Sequence, residues 1–441
     1  MSTLRRGFGG GGVIQRTLPE TLRQGAEPVL SPAKGEDEYW MQQALEQAMS
    51  AVGRSHPNPT VGCVIVKEGR VIASGATEVC GGRHAERVAI QSVADQSQLR
   101  GATIYVTLEP CSHTGRQPPC AELVASCGFA RCVVAVGDPN PLVSGKGLRR
   151  LREAGLEVQT GVLAHEAMAW HLPFLFWQLA GRPLIAAKWA QTLDGQLAYD
   201  DGRSQWISGV ESRAYTHWLR QKYDAILVGA GTVLADQPAL TVRSCVEPHH
   251  RQPVRLLFDP GARILSCPEE VWRGLLERTF TPETPTVLMV RESALSAARQ
   301  ERLTAQRLEH LERLEHLHAL PEELAPAASL RTALAALSTR VGRPIQSVMV
   351  EGGPRLISTL ADAGMIDVAH IFTAPILGGG TRYRLQFPAP YGVGVRLSPM
   401  AHARLGEDLL VEYLSQPTKK LLEKLDSGLP TSGPLKTPEA A

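Results

Sequence analysis

Apolar positions along this chain alternate between two periods. Tyr39, Met41, Leu45, Ala48 and Met49 recur at helical spacing, predicting a helix that starts near Glu36 and ends before Gly53. His56-Pro57-Asn58-Pro59 is a rigid turn, and the β-branched run at 61–66 reads as a buried strand with a hairpin partner at 71–74. The pattern continues with a helix from His84 to about 93, a strand at 103–107, a helix from Pro119 to Gly128 and a strand at 132–136. A helix at 148–154, a strand at 157–160 and a helix at 164–180 follow. The last carries Trp170, Phe174, Phe176 and Trp177, an aromatic stripe suited to packing.

After Gly181-Arg182-Pro183 the alternation restarts, with strands at 184–188, 225–228, 254–258, 287–290, 347–350 and 370–373 and a helix at 210–221. The charged segment 303–320, with His310, His316 and His318, reads as a solvated helix. Strand and helix alternating in this way predict two α/β domains, at 36–180 and 181–415. Residues 1–35 are punctuated by Gly and Pro, and 416–441 are rich in Lys, Pro, Ser and Gly. Both read as disordered, an extension and a tail.

A length of 441 residues with 43% hydrophobic content supports two or three packed domains. The formal charge of +2, from 46 basic and 44 acidic residues, leaves no electrostatic footprint for nucleic acid or an anionic membrane. No apolar run approaches membrane-spanning length and no secretory core opens the chain. Eight cysteines are too few for a disulfide scaffold, which points to a reducing, cytoplasmic setting and a small-molecule partner. Homo-oligomerisation is left open.

Chemistry concentrates between His84 and Cys120. His84, Cys111 and Cys120 offer one imidazole and two thiolates, a donor set for four-coordinate zinc with one position left to water. Such a water loses its proton near neutral pH. Glu86, two residues past His84, is the matching proton shuttle, and His-x-Glu followed by Pro-Cys and a second Cys is the pattern of zinc deaminases. A structural zinc would take a fourth ligand, which His113 could supply, and buried cysteines with an ordinary histidine are the bland alternative. Asp138-Pro139-Asn140-Pro141 and Ser144-Gly145-Lys146-Gly147 lie where α/β sheets bind ligands, although plain turns read equally well. The second half has no Gly-x-Gly-x-x-Gly after its first strand, and its Gly352-Gly353 and Gly378-Gly379-Gly380 runs suit turns or a phosphate cradle.

His56-Pro57-Asn58-Pro59, His84-Ala85-Glu86, Leu108-Glu109-Pro110-Cys111, Pro118-Pro119-Cys120 and Asp138-Pro139-Asn140-Pro141 together resemble the deaminase half of the bifunctional deaminase/reductase family of riboflavin biosynthesis. Eight residues separate Cys111 from Cys120, as in that family, where most other deaminases have Cys-x-x-Cys. Thr192-Leu193-Asp194-Gly195, Ser204-Gln205-Trp206, Gly231-Thr232-Val233-Leu234-Ala235-Asp236 and Glu351-Gly352-Gly353-Pro354 are similar to its reductase half. The resemblance implies a cytidine-deaminase-like three-layer α/β domain followed by a dihydrofolate-reductase-like α/β domain. It implies Zn2+ on His84, Cys111 and Cys120 with Glu86 catalytic, and a phosphoribosyl-pyrimidine substrate on Ser204, Arg220, Leu240, Arg243 and Glu351. NADPH would meet Ala190, Trp206, Thr232, Asp236, Gly353, Pro354 and Arg355. For acid/base work in such a reduction the chain itself offers Lys188 and Asp194 as candidates.

Overall fold

A computed structural model of the chain describes residues 36–115, 117–202, 207–243, 251–386 and 395–426. The extension expected at 1–35 lies outside them. The chain divides into two compact units: the described residues up to Gly181 and from Pro417 on form the first, and those from Arg182 to Gln416 the second. No helix among the described residues is long and apolar enough to cross a membrane.

The first unit runs α1 (Glu36–Met49), β1 (Gly62–Lys67), β2 (Arg70–Ala76), α2 (Ala85–Ser92), β3 (Thr103–Leu108), α3 (Cys120–Ser126), β4 (Arg131–Val136), α4 (Lys146–Glu153), β5 (Glu157–Thr160) and α5 (Ala164–Ala180). Its sheet has the order β2-β1-β3-β4-β5. β1 is antiparallel to both neighbours, and β3, β4 and β5 are parallel. Strands β1, β3 and β4 are buried almost throughout, because helices cover both faces. Successive strand residues point to opposite faces, and the helices approach through glycines on each. A Cβ on Gly62 would lie 1.9 Å from Ala44 O of α1. One on Gly75, which pairs with Cys63, would lie 2.6 Å from Ala85 O of α2. The unit therefore has three layers.

The second unit contains β6 (Leu184–Thr192), α6 (Val210–Lys222), β7 (Ala225–Gly229), α7 (Ala230–Asp236), β8 (Val254–Phe258), α8 (Glu269–Arg278), β9 (Thr286–Arg291) and α9 (Glu292–Ala298). It continues with α10 (Arg302–Arg313), β10 (Leu317–Leu320), α11 (Pro326–Arg340), β11 (Ser347–Val350), α12 (Pro354–Asp362), β12 (Val368–Ala374), β13 (Leu397–Leu405) and β14 (Asp408–Ser415). The sheet order is β10-β9-β8-β7-β11-β6-β12-β14-β13. The strands from β10 to β12 in that order are parallel, and the β13–β14 hairpin closes the sheet antiparallel to β12. Ile185, Ala187, Leu227, Leu256, Val348 and Ala369 build the apolar core on one face. Lys188 and His370, out of phase with that set, face the other way.

Three expectations need correction. The predicted helix at 303–320 stops at Arg313, because Glu315 takes a left-handed φ of 56° and residues 317–320 pair with β9 as a strand. His316 there is buried, its Nδ1 2.9 Å from Thr286 O, so it is not a solvated helix residue. The tail expected to be disordered from 416 begins as the helix α13 (Gln416–Asp426), which buries Thr418 and Leu422. Its apolar positions 421, 422 and 425 share one helical face, a short signal submerged in a Lys-rich composition.

Candidate active sites

In the first unit the end of β2, the start of α2, the end of β3 and the start of α3 bring three ligand atoms together. His84 is the N-cap of α2, Cys111 follows β3 by three residues, and Cys120 is the first residue of α3. Ala121 N–H donates to Cys111 O at 3.0 Å and Cys120 N–H to Cys111 Sγ at 3.3 Å, fastening the two cysteine segments. His84 Nδ1 lies 3.6 Å from Cys111 Sγ and 3.5 Å from Cys120 Sγ, and the three donor atoms are all within 4.8 Å of one another. Zn–S and Zn–N bonds of about 2.3 and 2.0–2.1 Å at tetrahedral angles place N and S about 3.5 Å apart. The residues present therefore fit zinc. Among the described residues His113 is not one of the clustered donors, so the cluster offers three protein donors.

Glu86 occupies the first turn of α2 and is 3% exposed. Burial, reinforced by the negative charge on Cys111, pushes its carboxyl up to about 7. Hydrogen bonds from Cys120 and then His84 hold the Cys111 thiol down, favouring its thiolate. A bound cation would favour thiolate and carboxylate further.

Glu109 escaped notice as a functional position. It is 4% exposed, and its Oε1 accepts from Gly147 N–H (3.0 Å) and Leu148 N–H (3.3 Å) while Oε2 accepts from Gly145 N–H (3.1 Å) and Asp138 N–H (3.3 Å). It thus caps α4 from the strand that carries Cys111. The amides of Gly145, Gly147 and Leu148 are spent on this carboxylate, that of Lys146 on Val143 O (2.7 Å) and Lys146 Nζ on Pro141 O (3.0 Å), so the Ser144–Gly147 segment is a turn. Nothing local marks such a cap, since donor and acceptor are 36–39 residues apart. Asp138 beside it is buried, and burial pushes its carboxyl up to about 7.

In the second unit the C-terminal ends of β7, β11, β6 and β12 lie side by side, the edge where parallel sheets place ligands. Arg220 of α6 grips Glu351, just past β11, through Nε–Oε1 (2.6 Å) and Nη2–Oε2 (2.8 Å), and its Nη1 donates to Thr241 O (2.9 Å). Both side chains are nearly buried, so Arg220 is no surface arginine. Arg243 is exposed, with no ion pair among the described residues. Burial pulls Lys188 down against the attraction of Glu351. His217 is held neutral by burial and the charges of Arg220 and Arg243, down to about 4. Leu240 is buried with a left-handed φ of 51°.

Thr232 Oγ1 accepts from Gly353 N–H (3.2 Å), joining the starts of α7 and α12, and Asp236 lies one turn beyond Thr232. Pro354 opens α12 and Arg355 is exposed beside it, while Ala190 is half-buried on β6. Helix N-termini attract phosphate, and a Cβ on Gly231 would meet nothing within 4 Å. These residues fit the phosphates of a dinucleotide. Ser204 and Trp206 lie outside the described residues. Asp194 accepts from Thr192 Oγ1 (2.5 Å), Gly378 N–H (2.9 Å) and Gly379 N–H (2.8 Å), which lowers its carboxyl to about 2. It pins two loops together, and the 378–379 amides are committed to it.

Residues 34–136 match the family described as the cytidine and deoxycytidylate deaminase zinc-binding region, and residues 183–411 match the RibD C-terminal domain. The riboflavin biosynthesis protein RibD of Aquifex aeolicus is 37% identical over 384 residues, covering 86% of this chain and 98% of that protein. That of Escherichia coli K12 is 36% identical, covering 80% and 92%. The solved RibD of Acinetobacter baumannii superposes with a TM-score of 0.68 at 34% identity over 86% of this chain and 99% of that one. A diaminohydroxyphosphoribosylaminopyrimidine deaminase/5-amino-6-(5-phosphoribosylamino)uracil reductase from Thermotoga maritima gives 0.69 at 32%, over 86% and 98%. With a family model matching each half and relatives matched along nearly their full length, this chain belongs to the RibD family of riboflavin biosynthesis proteins.

Proposed function

We propose that His84, Cys111 and Cys120 hold one zinc and that Glu86 moves the protons as the first unit hydrolyses 2,5-diamino-6-(5-phosphoribosylamino)pyrimidin-4-one to 5-amino-6-(5-phosphoribosylamino)uracil and ammonia. The observation that carries this reading is the three-donor cluster with a buried carboxylate two residues past its histidine. Zinc at these ligands supplies Lewis acidity that makes water acidic near neutral pH. Glu86 accepts a proton from the attacking water and returns it to the leaving amine, a double duty suited to a carboxyl poised near 7. The low-dielectric wall around it keeps that proton from bulk solvent.

The second unit then reduces the ribosyl group to ribityl, with NADPH supplying the hydride. Thr232, Asp236 and the Gly353–Arg355 segment hold the cofactor, with Ala190 and Trp206 completing its site. Glu351, Leu240, Arg243 and Ser204 hold the phosphoribosyl-pyrimidine, Arg243 offering its guanidinium to the phosphate. Arg220 orients Glu351 through their paired bonds. Lys188 of β6, its Nζ 5.1 Å from the centre of the Phe372 ring and its charge attracted by Glu351, is the group that gives a proton to the opening sugar oxygen. Asp194, with both oxygens engaged, holds loops instead of exchanging protons. Cys63, Cys127, Cys132 and Cys267 form no disulfide, which supports a cytoplasmic setting.

The test is product analysis by mass after incubating zinc-loaded protein with the diaminopyrimidine phosphate. Deaminated product alone is expected without NADPH, and the ribityl product with it. Ribityl product failing to form with NADPH would overturn the reductase assignment, and failure to deaminate would overturn the first.

A further inference from the structure

Arg255, the second residue of β8, is 0% exposed and has no ion pair among the described residues. A guanidinium taken out of water is tolerated only when its donors are bonded, and burial, opposed by the charge of Glu283, pulls this one down to about 10, still charged at neutral pH. Its Nε donates to Thr286 Oγ1 (2.8 Å). Nη2 donates to Thr281 O (3.1 Å), Thr281 Oγ1 (3.1 Å) and Thr284 O (2.8 Å), and Nη1 to Arg278 O (3.1 Å). All of these acceptors belong to the end of α8, the turn after it and β9. The sixth does not. Nη1 also donates to Ala239 O (3.3 Å), in the segment that carries Leu240 and Arg243.

That segment is shaped from outside. Thr279 Oγ1 donates to Pro238 O (3.0 Å) and Arg220 Nη1 to Thr241 O (2.9 Å). The Gln252 amide takes Val242 N–H (2.8 Å) and gives to Val242 O (3.1 Å). Side chains from α6, from Gln252 ahead of β8, from β8 and from the end of α8 thus hold four residues, Pro238, Ala239, Thr241 and Val242, on either side of Leu240, whose left-handed backbone would otherwise relax. An ammonium could not replace this fork, because a lysine has three donors on a flexible stem and Arg255 satisfies six acceptors from one plane.

We propose that Arg255 is a positioning residue for the reduction: by fixing the 238–243 segment it presents Leu240 and Arg243 to the phosphoribosyl end of the substrate. The inference rests on the assignment of those two residues to the substrate site. Its prediction is selective, because the cofactor residues lie on other elements. In the zinc-loaded full chain, Arg255→Lys raises the KM for 5-amino-6-(5-phosphoribosylamino)uracil roughly ten- to a hundredfold, the effect of a small misplacement. The reductase kcat, the KM for NADPH and the deamination rate hold. Arg243→Ala, measured beside it, raises the same KM. A raised KM in Arg243→Ala with none in Arg255→Lys sinks the inference and spares the site assignment, whereas an unchanged KM in Arg243→Ala sinks both. Arg255→Lys losing NADPH affinity in step with substrate affinity marks a merely structural role and also overturns it. If Arg255→Lys does not fold, Thr279→Val reads the same segment, since it deletes only the hydroxyl bonded to Pro238 O. The substrate KM is expected to rise, and an unchanged value refutes the proposal.

Discussion

Glu86 performs two opposite proton transfers only if its carboxyl is balanced between its forms, and burial does the balancing. Glu86→Gln keeps the size of the side chain and removes the base, so deamination should fall by about 10²- to 10⁴-fold or more. Zinc content and reduction of pre-deaminated substrate should be unchanged, read by metal analysis and NADPH oxidation. Cys120→Ala should lose zinc while His113→Ala keeps it, because only the first removes a clustered donor. Asp194 carries a pH signature. Its carboxyl lies near 2 when folded, below the usual value of about 3.9. Its contribution to stability is therefore present above about pH 4 and lost as pH falls through about 2. Thermal unfolding of the wild type and Asp194→Asn should differ at pH ~5, differ less at pH ~3 and converge only below pH ~2; a constant difference would contradict the assigned bonds.

At the scale of elements, the segment leading to Cys111, a proposed zinc ligand, packs against α4. A Cβ on Gly147 of α4 would lie 2.1 Å from Pro110 O, the residue before Cys111, and 3.2 Å from Glu109 Oε1. Gly147→Ala should therefore push α4 off the cysteine segment. We expect a loss of about 1–3 kcal/mol of stability from overpacking, seen in denaturant melts, together with weaker zinc retention under chelator. Stability lost without any change in zinc would show that the segment relaxes elsewhere. Most strands of both sheets, and the helix Ala164–Ala180 to its ends, were legible because apolar runs of four or more residues bounded by turns leave little ambiguity. The β13–β14 hairpin went unread. Its alternation is weak, with Pro399 and His402 among the strand positions, and its place is set by pairing with β12.

For the whole molecule, two sites in two separate units predict separable activities. Glu86→Gln and Lys188→Met should each retain the activity of the other unit. Mixed in solution, they should together convert the diaminopyrimidine phosphate to the ribityl product, because the intermediate can leave one chain and enter another. Mass analysis of the mixture checks this, and no ribityl product from two singly competent variants would mean the intermediate does not exchange.

His84, Cys111, Cys120 and Glu86 could be read in order along the chain because metal chemistry restricts ligand types, and the helix and strand ends that present them follow from local pattern. The α/β alternation followed too, since the periods of 2 and 3.6 are properties of neighbouring residues. Only the tertiary structure decided that His113 stands apart from the cluster, that Glu109 caps α4, that Arg220 belongs to Glu351 and that Arg255 is buried. Each of these depends on partners tens of residues away or more. A hydrogen bond or a buried charge is defined by what surrounds it in space, and no spacing along the chain encodes that.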